Sequence, residues 1–294
     1  MKKTSQLAGN VFVLHDPMFP LYLIKGTKNI LLDCSILART AEIEAGLVAI
    51  LGDEKIDTVL LTHSHYDHTG ALAYLQARHH FNIYASQRTK EILENPKAIE
   101  FIDRLNQEFK RILNRNDSLH VTMPENMNAV HEGDRIAVGK DQWLQVYETP
   151  GHTRCSLSFL LLPENILFPG DAAGVMEKNK TIKPLFLIGF SQYLASLEKL
   201  SKLNADILAL PHNQAIKGRK NVETFFSRSI QETHKLKAIL LRELQNSNDF
   251  EAIAKKIFAQ EYPLPTLDGP QEALLINLTA MIKSIYHEFV KIIQ

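Results

Sequence analysis

One run of nine residues constrains this chain more than any other: Thr62-His63-Ser64-His65-Tyr66-Asp67-His68-Thr69-Gly70. It follows directly on the apolar, β-branched run Asp57–Leu61 and precedes a stretch that reads as a helix over 71–80. That order places the run on a loop at the C-terminal end of a strand, where ligands bind in open α/β sheets. Three imidazoles and a carboxylate within six positions are good donors for zinc, iron or manganese. A single histidine here would be an ordinary solvated loop residue. His-x-His-x-Asp-His between a buried strand and a helix is not ordinary.

The surrounding pattern alternates strands and helices. Asn10–Leu14 and Leu21–Lys25 are apolar runs separated by Pro17 and Pro20, and Asn29–Asp33 follows the turn Gly26-Thr27-Lys28. Residues 40–51 carry Ile43, Leu47 and Ile50 on one helical stripe. Asn82–Ala85 reads as a strand, and 97–115 as an amphipathic helix with Ile99, Ile102, Leu105, Phe109, Ile112 and Leu113 at spacings of three and four. Strands are expected again at Arg135–Val138, Leu144–Glu148, Ser156–Leu162, Ile166–Phe168 and Ile207–Leu210, with a helix at 191–203 before the last. Strand–helix–strand alternation of this kind predicts an α/β layer structure. From about residue 221 the strand signal fades, and 221–245, 248–259 and 270–293 read as helices, with a Pro263/Pro265 turn between the last two. Residues 1–220 are therefore expected to form the α/β domain and 221–294 a helical extension packed on it.

Three further residues follow the same logic as the first run. His152 in Pro150-Gly151-His152-Thr153, Asp171 in Pro169-Gly170-Asp171 and His212 in Leu210-Pro211-His212 each lie past an apolar strand, beside glycine or proline. If those strands share packed sheets, all the loops open on one edge. Cys155 invites a nucleophile reading, but a small buried core cysteine is the expectation.

These residues together resemble the metallo-β-lactamase superfamily over roughly residues 10–220. The resemblance implies a four-layer αββα sandwich. It implies His63, His65 and His152 as ligands of one divalent metal, Asp67, His68 and His212 as ligands of a second, and Asp171 as the bridge between them. The run Ile30-Leu31-Leu32-Asp33 is similar to the family's strand ending in aspartate. One departure is that Pro211 and Asn213 flank His212 where many relatives have glycines. A dinuclear site of this kind makes hydroxide from a bridging water at neutral pH, with a metal as Lewis acid for the oxyanion. Asp67 and Asp171 are then the catalytic carboxylates, with Asp67 orienting the nucleophile and moving a proton.

Composition narrows the reading further. Lys+Arg 33 balance Asp+Glu 33 and the pI is about 7.2, which argues against a nucleic-acid binder or a nuclease. Apolar residues make up 45% of the 294, and no run approaches the roughly 20 apolar residues of a membrane span. Cys34 and Cys155 are too few for a disulfide framework, and Val11–Leu14 is too short for a signal-peptide core. A cytoplasmic protein without a membrane or nucleic-acid partner is expected.

Asp171 argues against the β-lactamases that place cysteine at this ligand position, and no flavodoxin-like domain follows. Glyoxalase II and the lactonases share the ligand set. A closer resemblance, over nearly the whole chain, is to the 2-aminobenzoylacetyl-CoA thioesterase family of quinolone-signal response. It is carried by Thr62–Gly70, Ala85–Thr89, Arg104–Asn106, Gly170–Ala172 and Tyr193–Leu200, and is weakest in the tail. It implies iron in the dinuclear site, although the ligands themselves suit zinc or manganese. The expected function is hydrolysis of an acyl-CoA-type thioester. A lactonase or other ester hydrolase, a regulatory binding protein that retains its metals, and a mononuclear iron dioxygenase remain open. The resemblance implies a catalytic domain over 1–220 whose pocket the 221–294 extension roofs as a lid; the apolar tail could also carry a homodimer or regulatory-partner interface.

Overall fold

A computed structural model of the chain describes residues 4–16, 18–177, 180–213, 215–261 and 271–291. The Pro263/Pro265 turn and Pro17 lie outside them. Seven strands form the first sheet in chain order: β1 (Thr4–Ala8), β2 (Val11–Leu14), β3 (Leu21–Ile24), β4 (Ile30–Leu32), β5 (Thr58–Leu60), β6 (Asn82–Ala85) and β7 (Met127–Ala129). Pairing is antiparallel from β1 to β4 and parallel from β4 to β7. The second sheet is built from β8 (Arg135–Ala137), β9 (Trp143–Glu148), β10 (Leu157–Leu162) and β11 (Ile166–Phe168), then, beyond a hairpin of β12 (Val175–Met176) and β13 (Ile182–Lys183), from β14 (Ile207–Leu208) and β15 (Ile216–Lys217). Its order is β15-β14-β11-β10-β9-β8.

Side chains alternate across each strand, and this alternation builds the layers. Ile24, Ile30, Leu32 and Leu60 of the first sheet meet Leu144, Val146, Phe159, Leu161 and Ile166 of the second in one core between the sheets. The alternate residues Leu23, Leu31, Val59 and Ile83 face outward, under α1 (Thr40–Leu51), α3 (Leu72–His79) and α5 (Pro96–Ile112). Leu160, Leu167 and Leu208 face outward on the other side. There they meet α6 (Phe190–Ser201), α7 (Arg219–Asn246), α8 (Phe250–Glu261) and α9 (Gln271–Ile285). The result is the expected αββα sandwich, with the C-terminal helices continuing its outer layer. Strands buried on both faces explain why they read as continuous apolar runs. Each fully buried Leu, Ile or Phe in these layers contributes about 1.5–3 kcal/mol.

Helix boundaries follow local chemistry. Asn95 caps α5 by accepting from Lys97 N at 3.0 Å, with Pro96 at the first helical position. Its buried stripe is Ile99, Ile102, Leu105 and Phe109, as the spacing predicts, but the helix ends at Ile112, which is exposed, so the expected stripe stops short of Ile112 and Leu113. A helix α4 (Gln87–Leu93) gave no apolar signal, because it buries only Thr89 and Leu93. Ser86 starts it by accepting from Thr89 N at 3.1 Å.

The sheet directions decide where function sits. β4 and β5 are parallel, and so are β11 and β14. β9 runs the same way as β11, since both are antiparallel to β10. All five strands therefore end on one edge, where Leu157 N donates to Thr62 O at 2.7 Å and ties the two sheets together. Among the described residues no helix is long and apolar enough to cross a membrane.

Candidate metal centre

The first run changes conformation midway, and that explains its spacing. His65 is extended (φ −67°, ψ 152°), so His63 and His65 project to one side, two residues apart. The chain then turns into α2 (Tyr66–Thr69), where His68 N and Thr69 N both donate to His65 O. This helical turn swings Asp67 and His68 to an adjacent position. Two groups result: His63, His65, His152 and Asp171 in one, and Asp67, His68 and His212 in the other, with candidate ligand atoms within 4.8 Å of one another in each. All seven residues singled out in the sequence are thus brought together.

Close approaches of backbone allow this convergence. Gly170 has φ +53°, and a Cβ there would lie 2.8 Å from Thr62 Cβ. Gly151 has φ +128°, and its Cβ would lie 2.2 Å from the backbone of Tyr193. Glycine is required at both positions, and each precedes a cluster residue.

In the first group, His152 Nε2 lies 3.2 Å from His63 Nε2 and 3.0 Å from His65 Nδ1. Outside the cluster, His152 Nδ1 donates to Leu185 O at 2.9 Å. Thr62 Oγ1 donates to Asp33 Oδ2 at 2.8 Å and lies 3.1 Å from His63 Nδ1, from which it accepts. Both rings therefore keep an Nε2 lone pair pointing inward. Burial, then the neighbouring His68, His65 and His152, drive the His63 pKa well below its ordinary value. Burial draws His65 and His152 down to about 4, with the nearby Asp171 carboxylate only partly opposing it. At neutral pH these rings are neutral donors.

The second group is charged differently. Burial pulls His68 down, but the carboxylates of Asp33, Asp67 and Asp171 outweigh it and raise its pKa well above the ordinary value. His212 is also raised: Asp171 and Asp67 overcome its burial. Burial would raise Asp171, yet His212, His68 and His152 hold it well below the usual carboxylate range. Asp171 Oδ2 faces His152 Nε2 at 3.3 Å, while its Oδ1 faces His212 Nε2 at 3.2 Å and His68 Nε2 at 3.5 Å. One carboxylate thus addresses both groups. His68 Nε2 and Asp171 Oδ1 are buried and have no hydrogen-bond partner. Converging lone pairs, two orphaned buried polar atoms and a shared carboxylate fit cations at both positions.

Several supporting residues went unassigned in the sequence reading. Asp33, at φ +58° past β4, accepts from Thr62 N, Thr62 Oγ1 and His68 Nδ1 at 2.8, 2.8 and 2.9 Å. His212 Nδ1 lies 3.3 Å from Met18 O, a contact that backbone sequence does not advertise. Asn213 takes φ +68°, the conformation that a glycine would otherwise supply after His212. Cys155 lies buried in the turn before β10, against Ser64 Oγ at 3.4 Å and Thr153 Oγ1 at 3.2 Å, so it is a packed structural residue.

Two predictions follow from these contacts. Asp33→Asn replaces an acceptor oxygen of a site fed by three donors, so His68 loses its orientation. Metal titration should show about 10–100-fold weaker binding at one of two sites; unchanged affinity at both would contradict this. In the metal-free protein, an unfolded His152 takes up a proton near pH 6.5 and the folded one only near 4. The unfolded state therefore holds more protons between those values, and stability falls as pH drops from about 6.5 to about 4. Thermal melting should show this fall, shallower in His152→Asn; parallel curves would refute it.

Comparison with known proteins agrees with this geometry. The metallo-beta-lactamase superfamily profile matches residues 21–212. The metallo-beta-lactamase fold-containing protein ST1585 of Sulfurisphaera tokodaii is 23% identical over 232 residues, covering 76% of this chain and 83% of that protein. A hydroxyacylglutathione hydrolase of Idiomarina loihiensis is 31% identical over 154 residues, 51% of this chain but only 44% of that enzyme. Among solved structures, the metallo-beta-lactamase family protein TTHA1429 of Thermus thermophilus superposes with a TM-score of 0.72 at 19% identity, covering 96% of this chain and 95% of the other. With its profile, its sandwich and its seven-residue edge cluster in agreement, this chain belongs to the metallo-β-lactamase superfamily.

Proposed function

We propose that the chain is a dinuclear metal hydrolase acting on thioesters, with an acyl-CoA-type thioester as the natural substrate. The observation that carries this is Asp171, whose two oxygens address two separate groups of imidazoles and carboxylate. His63, His65, His152 and Asp171 would hold one divalent cation, and Asp67, His68, His212 and Asp171 the other. Two such cations supply hydroxide at neutral pH and a Lewis acid for the acyl oxygen. The resemblance to quinolone-signal thioesterases favours iron; the donor set suits zinc or manganese as well.

The chain's own groups have distinct tasks. Asp67 keeps 11% of its side chain exposed, with Oδ2 3.8 Å from His212 Nε2 and 3.9 Å from His68 Nε2. It is placed to orient an attacking water and pass on its proton. The groups that face the centre are imidazoles and carboxylates, so a leaving group that needs little protonation suits it. A thiolate meets that condition better than an alkoxide or an amide nitrogen. The hydroxyacylglutathione hydrolases, whose name denotes a glutathione thioester, support the same bond type.

The extension over 221–294 is proposed as a lid that selects the acyl group. Supporting this, Arg104 Nη1 on α5 donates to both carboxylate oxygens of Glu272 on α9, at 2.6 and 2.7 Å. α5 adjoins α2 through Asn106 Nδ2, which donates to Tyr66 O at 3.1 Å. The pair thus joins the Asp67 side of the centre to the tail.

The protein loaded separately with Fe(II), Zn(II) and Mn(II) should hydrolyse acyl-CoA thioesters at least tenfold faster than acyl lactones, and aromatic β-keto thioesters best. Asp67→Ala should lower the rate by about 10²–10⁴-fold, the usual range for a lost acid–base group, and His63→Ala, which removes a ligand, should lower both metal binding and rate. Turnover that survives both substitutions would sink the site assignment. Faster lactone cleavage would move the substrate class, and no turnover with both metals bound would favour a regulatory binding protein.

A further inference from the structure

α6 begins without a cap of its own. Its first flanking residue is Gly189, extended at φ −166°, and no side chain there meets the free N–H groups of the first turn. Those groups are strongly polar donors that need partners. The partner arrives from the far end of the chain. Glu288, in a π-helical turn over Tyr286–Val290 that continues α9, accepts from Phe190 N through Oε1 at 2.6 Å. Its Oε2 accepts from Ser191 N at 3.0 Å and Ser191 Oγ at 2.7 Å. Ser284 Oγ, one turn earlier, also accepts from Phe190 N at 3.0 Å. A carboxylate at this end of a helix is further favoured by the helix dipole.

The capped end of α6 is the seat of the His152 loop. Ile188 N, two residues before Phe190, donates to Gly151 O at 3.0 Å. Leu185 O, in the same segment, fixes His152 Nδ1 at 2.9 Å. Within α6, Tyr193 backbone atoms press on Gly151, and Ser196 Oγ donates to Pro150 O at 2.7 Å. Pro150, Gly151 and His152 are therefore each held by the stretch 185–196, and Glu288 pins Phe190 and Ser191 within it. His65, His68 and His212 have no contact with that stretch among the described hydrogen bonds.

We infer that Glu288 is a positioning residue for His152: it caps α6 from the C-terminal turn and thereby fixes the ring that completes the His63/His65/His152 group. This rests on the reading of that group as a metal site. It ties one of the two metal positions to the C-terminal turn through Glu288, a contact that the Asp67/His68/His212 position does not share. The switch to a π turn at the end of α9 has a purpose in this account, since it carries the Glu288 carboxylate to Phe190 and Ser191. π turns are frequent at functional sites.

The test is Co(II) titration of the full-length protein, followed by visible absorption, with His152→Ala and His212→Ala identifying the two steps. Glu288→Ala should weaken the step lost in His152→Ala by about tenfold, the lower end of the usual outer-shell effect. The step lost in His212→Ala should be unchanged. Adding Gly189→Asp to Glu288→Ala supplies a cap from the helix's own end, and it should restore the weakened step. The φ at 189 suits any residue, and the nearest obstacle to a Cβ, Glu288 Oε1 at 3.2 Å, is absent in that background. If Glu288→Ala folds poorly, the milder Ser191→Ala, which removes one contact, should shift the same step in the same direction. Parent-like binding at both steps, or equal weakening of both, would overturn the inference while leaving the dinuclear reading intact. A wild-type protein that shows no Co(II) step at all would overturn that reading itself.

Discussion

His152 Nε2 lies 3.2 Å from His63 Nε2 and 3.0 Å from His65 Nδ1, with lone pairs of His152 and His63 directed inward by protons held on the opposite nitrogens. The inward lone pairs of His152 and His63 face each other at 3.2 Å with the Asp171 carboxylate beside them, an arrangement that a cation among the nitrogens would satisfy. Much of the fold serves to hold this unfavourable grouping together. Five strand ends open on one edge, a backbone hydrogen bond joins the sheets there, and glycines at 151 and 170 let neighbouring segments approach. The stability that these layers gain by burying apolar side chains offsets the cost of gathering polar groups in the interior.

Around that centre is a second set of contacts that fixes each ring. Asp33 and Thr62 orient His68 and His63, Leu185 O orients His152, and Met18 O faces His212. Outside the two runs that carry candidate ligands, the stretches of the finer resemblance, Ala85–Thr89, Arg104–Asn106 and Tyr193–Leu200, serve the same end without supplying one. Ser86 Oγ donates to Cys155 O at 2.9 Å, Asn106 Oδ1 accepts from Leu37 N at 2.8 Å, and Tyr193 packs on Gly151. Similarity in these stretches therefore reflects support of the ligand loops, and does not by itself specify the substrate.

The candidate cluster was legible in the sequence because its chemistry is dense and local. His63 to His68 lie in one run, and His152, Asp171 and His212 each follow an apolar strand that could be recognised by composition. The αββα layering was legible because strands buried on both faces leave continuous apolar runs between helical stripes. Three kinds of feature were not legible. Short strands such as β12, β13 and β15 have two residues each, too few for any period. Carbonyl acceptors such as Leu185 O and Met18 O have no side-chain signature. Contacts across the chain, such as Glu288 with Phe190 and Arg104 with Glu272, depend on packing that no local pattern encodes.

The central claim is that two cations share Asp171. It is tested most directly by a crystal structure of metal-reconstituted protein, with anomalous difference maps recorded at the absorption edge of the added metal. The account predicts two peaks, one among His63, His65 and His152 and one among Asp67, His68 and His212, with the Asp171 carboxylate between them. A single peak with the other group empty, or metal bound only elsewhere on the protein, would contradict it.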